Sequence, residues 1–152
     1  MQSNNGFDIF KKVQLLILDV DGVLTDGKIF ISSTGEETKS FCIEDGTGAA
    51  IAKFADLPIA WLSGRYSECT KIRAKELQID CCIQGALDKI NKLPQIINQF
   101  NVPIENIAYV GDGLVDIPIL EKVGVPVGVP NAHPIVKEKC SFITDSTGGS
   151  GV

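Results

Sequence analysis

The fold is decided by one stretch near the start of the chain, VQLLILDVDG at residues 13–22. Residues 13–20 form an almost continuous apolar run, which is typical of a β-strand buried on both faces of a parallel sheet. Two carboxylates, Asp19 and Asp21, end the run, and Gly22 then favours a tight turn. Because ligand sites in open α/β sheets lie at the carboxyl ends of strands, this stretch predicts a central strand and a site directly after it.

Short strand-like runs alternate with helix-like segments beyond this stretch, an order that predicts the α/β class. We expect a doubly wound, Rossmann-like parallel sheet in a single domain over residues 1–152. Further strands are predicted at 59–62, 81–83, 107–110, 125–129 and 142–144. Helices are predicted at 45–55, 67–77, 88–100, 115–123 and 134–140, with Ser67 and Asp88 as N-caps and Pro94 as a kink or irregular turn. In the first helix, Ala49, Ala50, Ile51 and Phe54 form the predicted apolar side.

A β-hairpin is predicted directly after the first strand, because alternating runs at 28–33 and 37–43 flank the turn sequence Ser33-Thr34-Gly35-Glu36. Nothing longer is inserted elsewhere, so we expect no cap domain. The hairpin carries Ile29, Phe30 and Ile31 in a row, and alternation buries only one face of it against its own domain. Exposed apolar surface usually marks an interface, which indicates a homo-oligomer. The tail at 148–152 is expected to pack against nothing.

Composition excludes several classes of protein. The net charge of −5 and pI of about 4.8 argue against nucleic-acid binding, and no apolar stretch is long enough to cross a bilayer. The polar N-terminus lacks the apolar core of a signal peptide. Five cysteines, two of them adjacent, argue against a disulfide framework and for reduced thiols in the cytoplasm. With a single histidine, any metal is expected to be a hard cation held by oxygen.

A second acidic group, Gly111-Asp112-Gly113 with Asp116, follows the predicted strand at 107–110. Together with Asp19 and Asp21 it places clustered like charges at neighbouring strand ends, and these repel unless a cation binds. Mg²⁺ is the expected cation, since it prefers carboxylates, phosphate and water. Two alternatives remain open, in which Asp21-Gly22 forms only a turn and Asp116 only caps the following helix.

Two smaller features accompany the acids. Ser63-Gly64-Arg65 follows the strand at 59–62, where a hydroxyl and backbone amides can hold a phosphate. Lys89 lies near a predicted helix start, where the macrodipole disfavours a cation. We therefore expect Lys89 to be held by a carboxylate or an anion. Taken singly, each feature also fits an ordinary loop serine and a solvated lysine.

The order acid-x-acid, Ser, Lys, Gly-Asp-x-x-x-Asp resembles the haloacid dehalogenase superfamily of phosphotransferases. It is most similar to the uncapped 3-deoxy-D-manno-octulosonate 8-phosphate phosphatases, from about residue 15 to 151. The resemblance implies an aspartyl phosphate on Asp19 and acid–base catalysis by Asp21. It assigns Ser63 and Lys89 to catalysis, and Asp21, Gly64 and Arg65 to substrate binding. The implied Mg²⁺ ligands are Asp19, the Asp21 carbonyl and Asp112, with Asp116 orienting the site from outside.

The chain departs from that pattern at three positions. Glu44 stands where the branch often has Arg, Gly113 replaces an acid, and Ser150 lies inside the glycine-rich tail. The resemblance also implies a cytoplasmic homotetramer in lipopolysaccharide biosynthesis, with sugar phosphate as its partner and neither nucleic acid nor membrane. The alternatives are a phosphatase for a nine-carbon 2-keto sugar acid 9-phosphate, a catalytically silent regulatory or assembly module, and a phosphoacceptor switch such as a receiver domain.

Overall fold

A computed structural model of the chain describes residues 7–152. Within that range the strands are β1 (Leu15–Leu18), β2 (Phe30–Ile31), β3 (Glu37–Thr38), β4 (Ile59–Leu62), β5 (Cys81–Ile83), β6 (Ile107–Gly111), β7 (Val125–Gly128) and β8 (Phe142–Ile143). The α-helices are α1 (Ile43–Phe54), α2 (Glu68–Glu76), α3 (Leu93–Phe100), α4 (Ile117–Leu120) and α5 (Pro134–Lys137).

Six strands form one parallel sheet in the order β5-β4-β1-β6-β7-β8, and β2 pairs antiparallel with β3. The chain winds outward from β1 through β4 and β5, then returns to the other side of β1 to form β6, β7 and β8. The switch of direction between β1 and β6 opens a crevice at their carboxyl ends, which is where doubly wound sheets bind ligands. The predicted α/β class and the hairpin after the first strand are confirmed, and no cap domain is present among residues 7–152.

The core lies on both faces of the central strands. Every residue of β4 and β6 is buried, as expected for parallel strands covered by helices on both faces. Trp61 and Tyr109 are the largest of the fully buried side chains. Leu16 pairs in register with Ile59, and Leu15 with Ile107, so that the ends of β4, β1 and β6 lie side by side. This alignment places Asp19, Ser63 and Asp112 at one edge of the sheet.

Several local predictions differ from the structure. Asp88 makes no helix-capping bond; residues 89–92 form a 3₁₀ turn instead, and α3 begins at Leu93 with Pro94 in its first turn, where no amide donor is needed. The helix predicted at 115–123 is reduced to α4, preceded by a 3₁₀ turn at 114–116. Ser67, in contrast, caps α2 as predicted, with its side chain accepting a hydrogen bond from the Thr70 amide.

The predicted apolar side of α1 is confirmed at Ala49 and wrong at Ala50, Ile51 and Phe54. Ile51 is 64% exposed and Phe54 is 94% exposed, whereas Ala49 and Ala52 pack against the core. Periodicity grouped the larger side chains with Ala49, whereas the structure leaves Ile51 and Phe54 in solvent and packs alanines against the core.

The prediction that the tail packs against nothing is also wrong. The Gly148 amide donates to Asn131 Oδ1 at 2.7 Å, and the Gly149 amide donates to the Val23 carbonyl at 3.0 Å. A Cβ on Gly148 would run into the Gly22 carbonyl, so the glycine is what permits this close approach. The tail therefore lies over the loop that follows β1. Backbone amides hold it there, and a hydropathy pattern cannot predict such contacts.

All five cysteines are free, as predicted from their odd number and from the adjacent pair Cys81-Cys82. A membrane-crossing segment is likewise not found: every helix within residues 7–152 is too short or too polar to span a bilayer.

Candidate active site

One cleft at the carboxyl ends of β1, β4 and β6 gathers the predicted site residues. It has a volume of about 290 Å³ and is lined by Asp19, Asp21, Ser63, Gly64, Arg65, Leu87, Lys89, Asp112, Gly113 and Val115. A wider groove of about 710 Å³ lies along α2 and β5, but it contains none of the predicted site residues. The chemistry therefore concentrates in the smaller cleft, with Asp116 buried behind it.

Lys89 joins two of the acids from beneath. Its Nζ lies 2.8 Å from Asp19 Oδ1 and 2.7 Å from Asp116 Oδ1, and its side chain is only 1% exposed. Burial lowers the pKa of Lys89, but the charges of Asp19 and Asp116 outweigh that effect and the net shift is upward. Lys89 is thus a permanently charged ammonium held by carboxylates, as the sequence predicted.

Asp116 is fully satisfied by protein groups. Tyr109 donates its hydroxyl proton to Oδ1 at 2.5 Å, and the amides of Asp112 and Gly113 donate to Oδ2 at 3.1 and 3.0 Å. Its side chain makes no capping bond to α4, so the helix-cap interpretation fails. With both oxygens engaged, Asp116 is suited to fixing Lys89 and the loop after β6. Tyr109 was missed, because a tyrosine in a buried strand carries no sequence signal for a site.

The acids at this edge fit a divalent cation. Carboxylate oxygens of Asp19, Asp112 and Asp116 lie within 4.8 Å of one another, and Lys89 supplies one positive charge against three negative ones. Burial raises the pKa of Asp19 to about 7, with Lys89 opposing and Asp116 adding to the shift. Burial and then Asp116 raise the pKa of Asp112 to about 6. Two surplus negative charges in a partly desolvated site match the charge of Mg²⁺.

Gly22 brings the two acidic loops together. It adopts a φ of +91°, and a Cβ there would collide with the Asp112 carboxylate. Thr25 is completely buried and accepts hydrogen bonds from the amides of Gly22 and Gly27 at 3.3 and 3.2 Å. Asn131 donates to the Gly22 carbonyl at 2.9 Å. These contacts fix the loop after β1, and Asn131 had no sequence signal.

Asp21 lies outside the cluster of carboxylates and binds a different cation. Its Oδ1 accepts a hydrogen bond from Lys39 Nζ at 2.6 Å. Oδ1 of Asp21 is thus engaged by Lys39, while the resemblance implies that Asp21 would bind a metal through its backbone carbonyl. Glu37, in turn, binds Arg65 Nη2 at 2.8 Å and accepts from Ser67 Oγ at 2.5 Å. Neither Lys39 nor Glu37 was predicted as a site residue.

Ser63 and Arg65 extend the site along the end of β4. Ser63 is buried, and its backbone is pinned to the neighbouring strand, with its amide donating to the Ile83 carbonyl at 2.9 Å. Arg65 is 46% exposed, and its Nη1 lies 4.0 Å from Asp21 Oδ2. The cleft is thus lined by a buried hydroxyl, that of Ser63, and by the partly exposed guanidinium of Arg65.

Residues 53–152 match the haloacid dehalogenase-like hydrolase family. The 3-deoxy-D-manno-octulosonate 8-phosphate phosphatase KdsC of Escherichia coli K12 is 39% identical over 141 residues, covering 93% of this chain and 75% of the relative. The chain belongs to the haloacid dehalogenase-like hydrolases. In this hydrolase one cleft contains Asp19, Asp21, Ser63, Lys89 and Asp112. Their order along the chain is the order on which the predicted family resemblance was based.

Solved structures of similar hydrolases agree with this assignment. The 3-deoxy-D-manno-octulosonate 8-phosphate phosphatase of Moraxella catarrhalis, in complex with magnesium, phosphate and KDO, superposes with a TM-score of 0.93 at 35% identity, covering 99% of this chain and 86% of that one. The cobalt-bound form of the Haemophilus influenzae deoxy-D-mannose-octulosonate 8-phosphate phosphatase gives 0.91 at 35% identity, with 95% and 84% covered. Both of those relatives bind divalent metal.

Proposed function

We propose that this hydrolase is a Mg²⁺-dependent phosphatase that acts on 3-deoxy-D-manno-octulosonate 8-phosphate. The observation that carries the proposal is the cleft itself, where Asp19 lies 2.8 Å from a buried lysine and beside Asp112, with two negative charges left for a metal. The relatives named for this substrate support the same conclusion.

Asp19 is the proposed nucleophile. Its carboxylate attacks phosphorus, the bond from phosphorus to the sugar oxygen breaks, and an aspartyl phosphate forms. Asp21 gives a proton to the departing sugar oxygen. It then takes a proton from the water that attacks the aspartyl phosphate, so that inorganic phosphate leaves and both carboxyl groups return to their starting states.

The remaining groups position and neutralise the phosphoryl group. Lys89 and the Ser63 hydroxyl bind its oxygens, and Gly64 and Arg65 contact the substrate at the mouth of the cleft. Asp19, Asp112 and the Asp21 carbonyl would hold Mg²⁺. Asp116 would orient the site through its ion pair with Lys89 and through the hydrogen bonds that it accepts from the Asp112 and Gly113 amides. When bound, Mg²⁺ supplies positive charge to the phosphoryl oxygens.

We also propose a cytoplasmic homotetramer in lipopolysaccharide biosynthesis. Phe30 and Ile31 support the assembly, since they are 63% and 64% exposed on the hairpin. The five free cysteines support a reducing compartment. A neighbour placed over the cleft would limit the access of bulk water to the phosphoryl group, which favours phosphoryl transfer.

Phosphate release from a panel of substrates tests the proposal. The panel contains the eight-carbon 8-phosphate, a nine-carbon 2-keto sugar acid 9-phosphate and glucose 6-phosphate, each with Mg²⁺ and with EDTA. We expect Mg²⁺-dependent turnover with the highest kcat/KM for the eight-carbon substrate. A preference for the nine-carbon substrate would overturn the choice of sugar. If no substrate released phosphate in a metal-dependent way, the proposed phosphatase activity would be overturned.

Sedimentation near micromolar protein concentration tests the tetramer, and a monomer with full turnover would contradict it.

A further inference from the structure

Lys39 follows the return strand of the hairpin, yet its side chain reaches Asp21, which lines the cleft. The side chain is 0% exposed, although most of the hairpin is exposed. Its Nζ donates to Asp21 Oδ1 at 2.6 Å and to Thr70 Oγ1 at 3.4 Å, and Glu37 Oε1 lies 3.8 Å away. The shortest of these contacts therefore joins the buried ammonium to a carboxylate that lines the proposed active site.

Anchoring the hairpin does not explain a lysine at this position. Taking an ammonium group out of water costs several kcal/mol, and an apolar residue of similar size often serves packing as well or better. The position also contributes nothing to the apolar core, which lies around the main sheet. What a lysine adds is a charged donor directed at one chosen oxygen of Asp21.

The two oxygens of Asp21 are in different situations. Oδ1 accepts the short hydrogen bond from Lys39 and cannot at the same time carry a proton toward that donor. Oδ2 is buried and accepts no hydrogen bond from any group within residues 7–152, and Arg65 Nη1 lies 4.0 Å away from it. Oδ2 is therefore the oxygen left to exchange a proton with the leaving group.

We propose that Lys39 is a positioning residue, which fixes Asp21 through Oδ1 and keeps Oδ2 directed toward the leaving oxygen of the substrate. This inference rests on the proposed phosphatase function and deepens it. Lys39 pairs with Asp21 and Glu37, and it binds neither of the other cleft acids, Asp19 and Asp112. Its effect should therefore be confined to proton transfer at the leaving group, while phosphate binding and attack by Asp19 continue.

Two substrates that differ in their leaving group separate this role from simple support of the fold. A sugar phosphate releases an alkoxide that needs a proton, whereas p-nitrophenyl phosphate releases a phenolate that is stable without one. With enzyme in excess over substrate, the release of the leaving group reports only the first step. In Lys39→Met, which keeps the length but removes the donor, we expect release of the sugar to slow by about 10²-fold and release of p-nitrophenolate by less than about threefold.

The ratio of sugar release to p-nitrophenolate release does not depend on how much of the protein is folded, because a misfolded fraction lowers both rates by the same factor. Lys28→Met makes the same chemical change on an exposed lysine of the hairpin and should leave the ratio at its wild-type value. Lys39→Gln, a second neutral variant, should lower the ratio as Lys39→Met does, and Lys39→Arg, which keeps a charged donor, should move it back toward wild type.

Each outcome of the experiment decides one of the two proposals. Equal slowing of both substrates in the neutral variants would show that Lys39 only supports the fold and would overturn this inference, with the phosphatase function intact. A wild-type protein that releases neither leaving group in the presence of Mg²⁺ would instead overturn the proposed function.

Discussion

Replacing Lys89 by methionine should have opposite effects on stability and on metal binding. The substitution keeps the length of the side chain and removes the ammonium that lies 2.8 Å from Asp19 and 2.7 Å from Asp116. Removing one partner of a buried ion pair destabilises proteins by about 3–5 kcal/mol. For a domain of this size, 1 kcal/mol corresponds to about 2–4 °C in Tm, so we expect the metal-free variant to melt about 10 °C lower.

The loss of stability should depend on pH in a definite direction. The pKa of Asp19 is about 7 in the folded protein, against 3.8 for a free aspartate side chain, so stability falls as pH rises through that window. Lys89 opposes the shift, and without it the pKa of Asp19 rises further. The deficit of Lys89→Met relative to wild type should therefore be smaller at pH 5.5 than at pH 8, as measured by urea unfolding.

Magnesium binding should become tighter in the same variant. Lys89 repels a cation held by Asp19 and Asp112, and two unit charges about 4 Å apart already interact by about 1 kcal/mol in water and by more at a protein surface. We expect calorimetry at pH 8 to show Mg²⁺ affinity raised by about tenfold, while phosphatase turnover falls by at least about 10³-fold because the phosphoryl group loses its lysine. Weaker Mg²⁺ binding in Lys89→Met would refute the placement of the metal among these acids.

Three further predictions concern the acids. Asp19→Asn should abolish turnover because an amide cannot attack phosphorus, and turnover in a sequence-verified variant would contradict the mechanism. The metal-free Tm of this variant should be equal or higher, because the substitution removes a buried carboxylate whose pKa is raised to about 7. Asp112→Ala should weaken Mg²⁺ binding more than Asp116→Ala does, since both oxygens of Asp116 are engaged by protein groups; calorimetry showing the reverse order would exchange their roles. In the wild type, Mg²⁺ affinity should rise from pH 5.5 to 8 as Asp19 and Asp112, with pKa values of about 7 and 6, lose the protons that compete with the metal; a flat profile would show that these carboxylates do not hold it.

The sequence by itself determined the sheet and the acids at its edge. A strand buried on both faces must be apolar throughout, so Asp19 could follow β1 only at its end. The same argument placed Ser63 after β4 and Asp112 after β6. Parallel strands in register bring their carboxyl ends together, and this geometry converts three separate positions in the chain into one site.

Only the tertiary structure decided what surrounds those acids. Lys39 binds Asp21, 18 residues away in sequence, and Lys89 binds Asp116, 27 residues away. Local sequence periodicity cannot predict contacts at such separations. The tail is held by amide donors of Gly148 and Gly149, which hydropathy cannot register. Strand positions follow from short-range patterns of burial, whereas hydrogen bonds and ion pairs depend on which distant segments meet once the whole chain has packed.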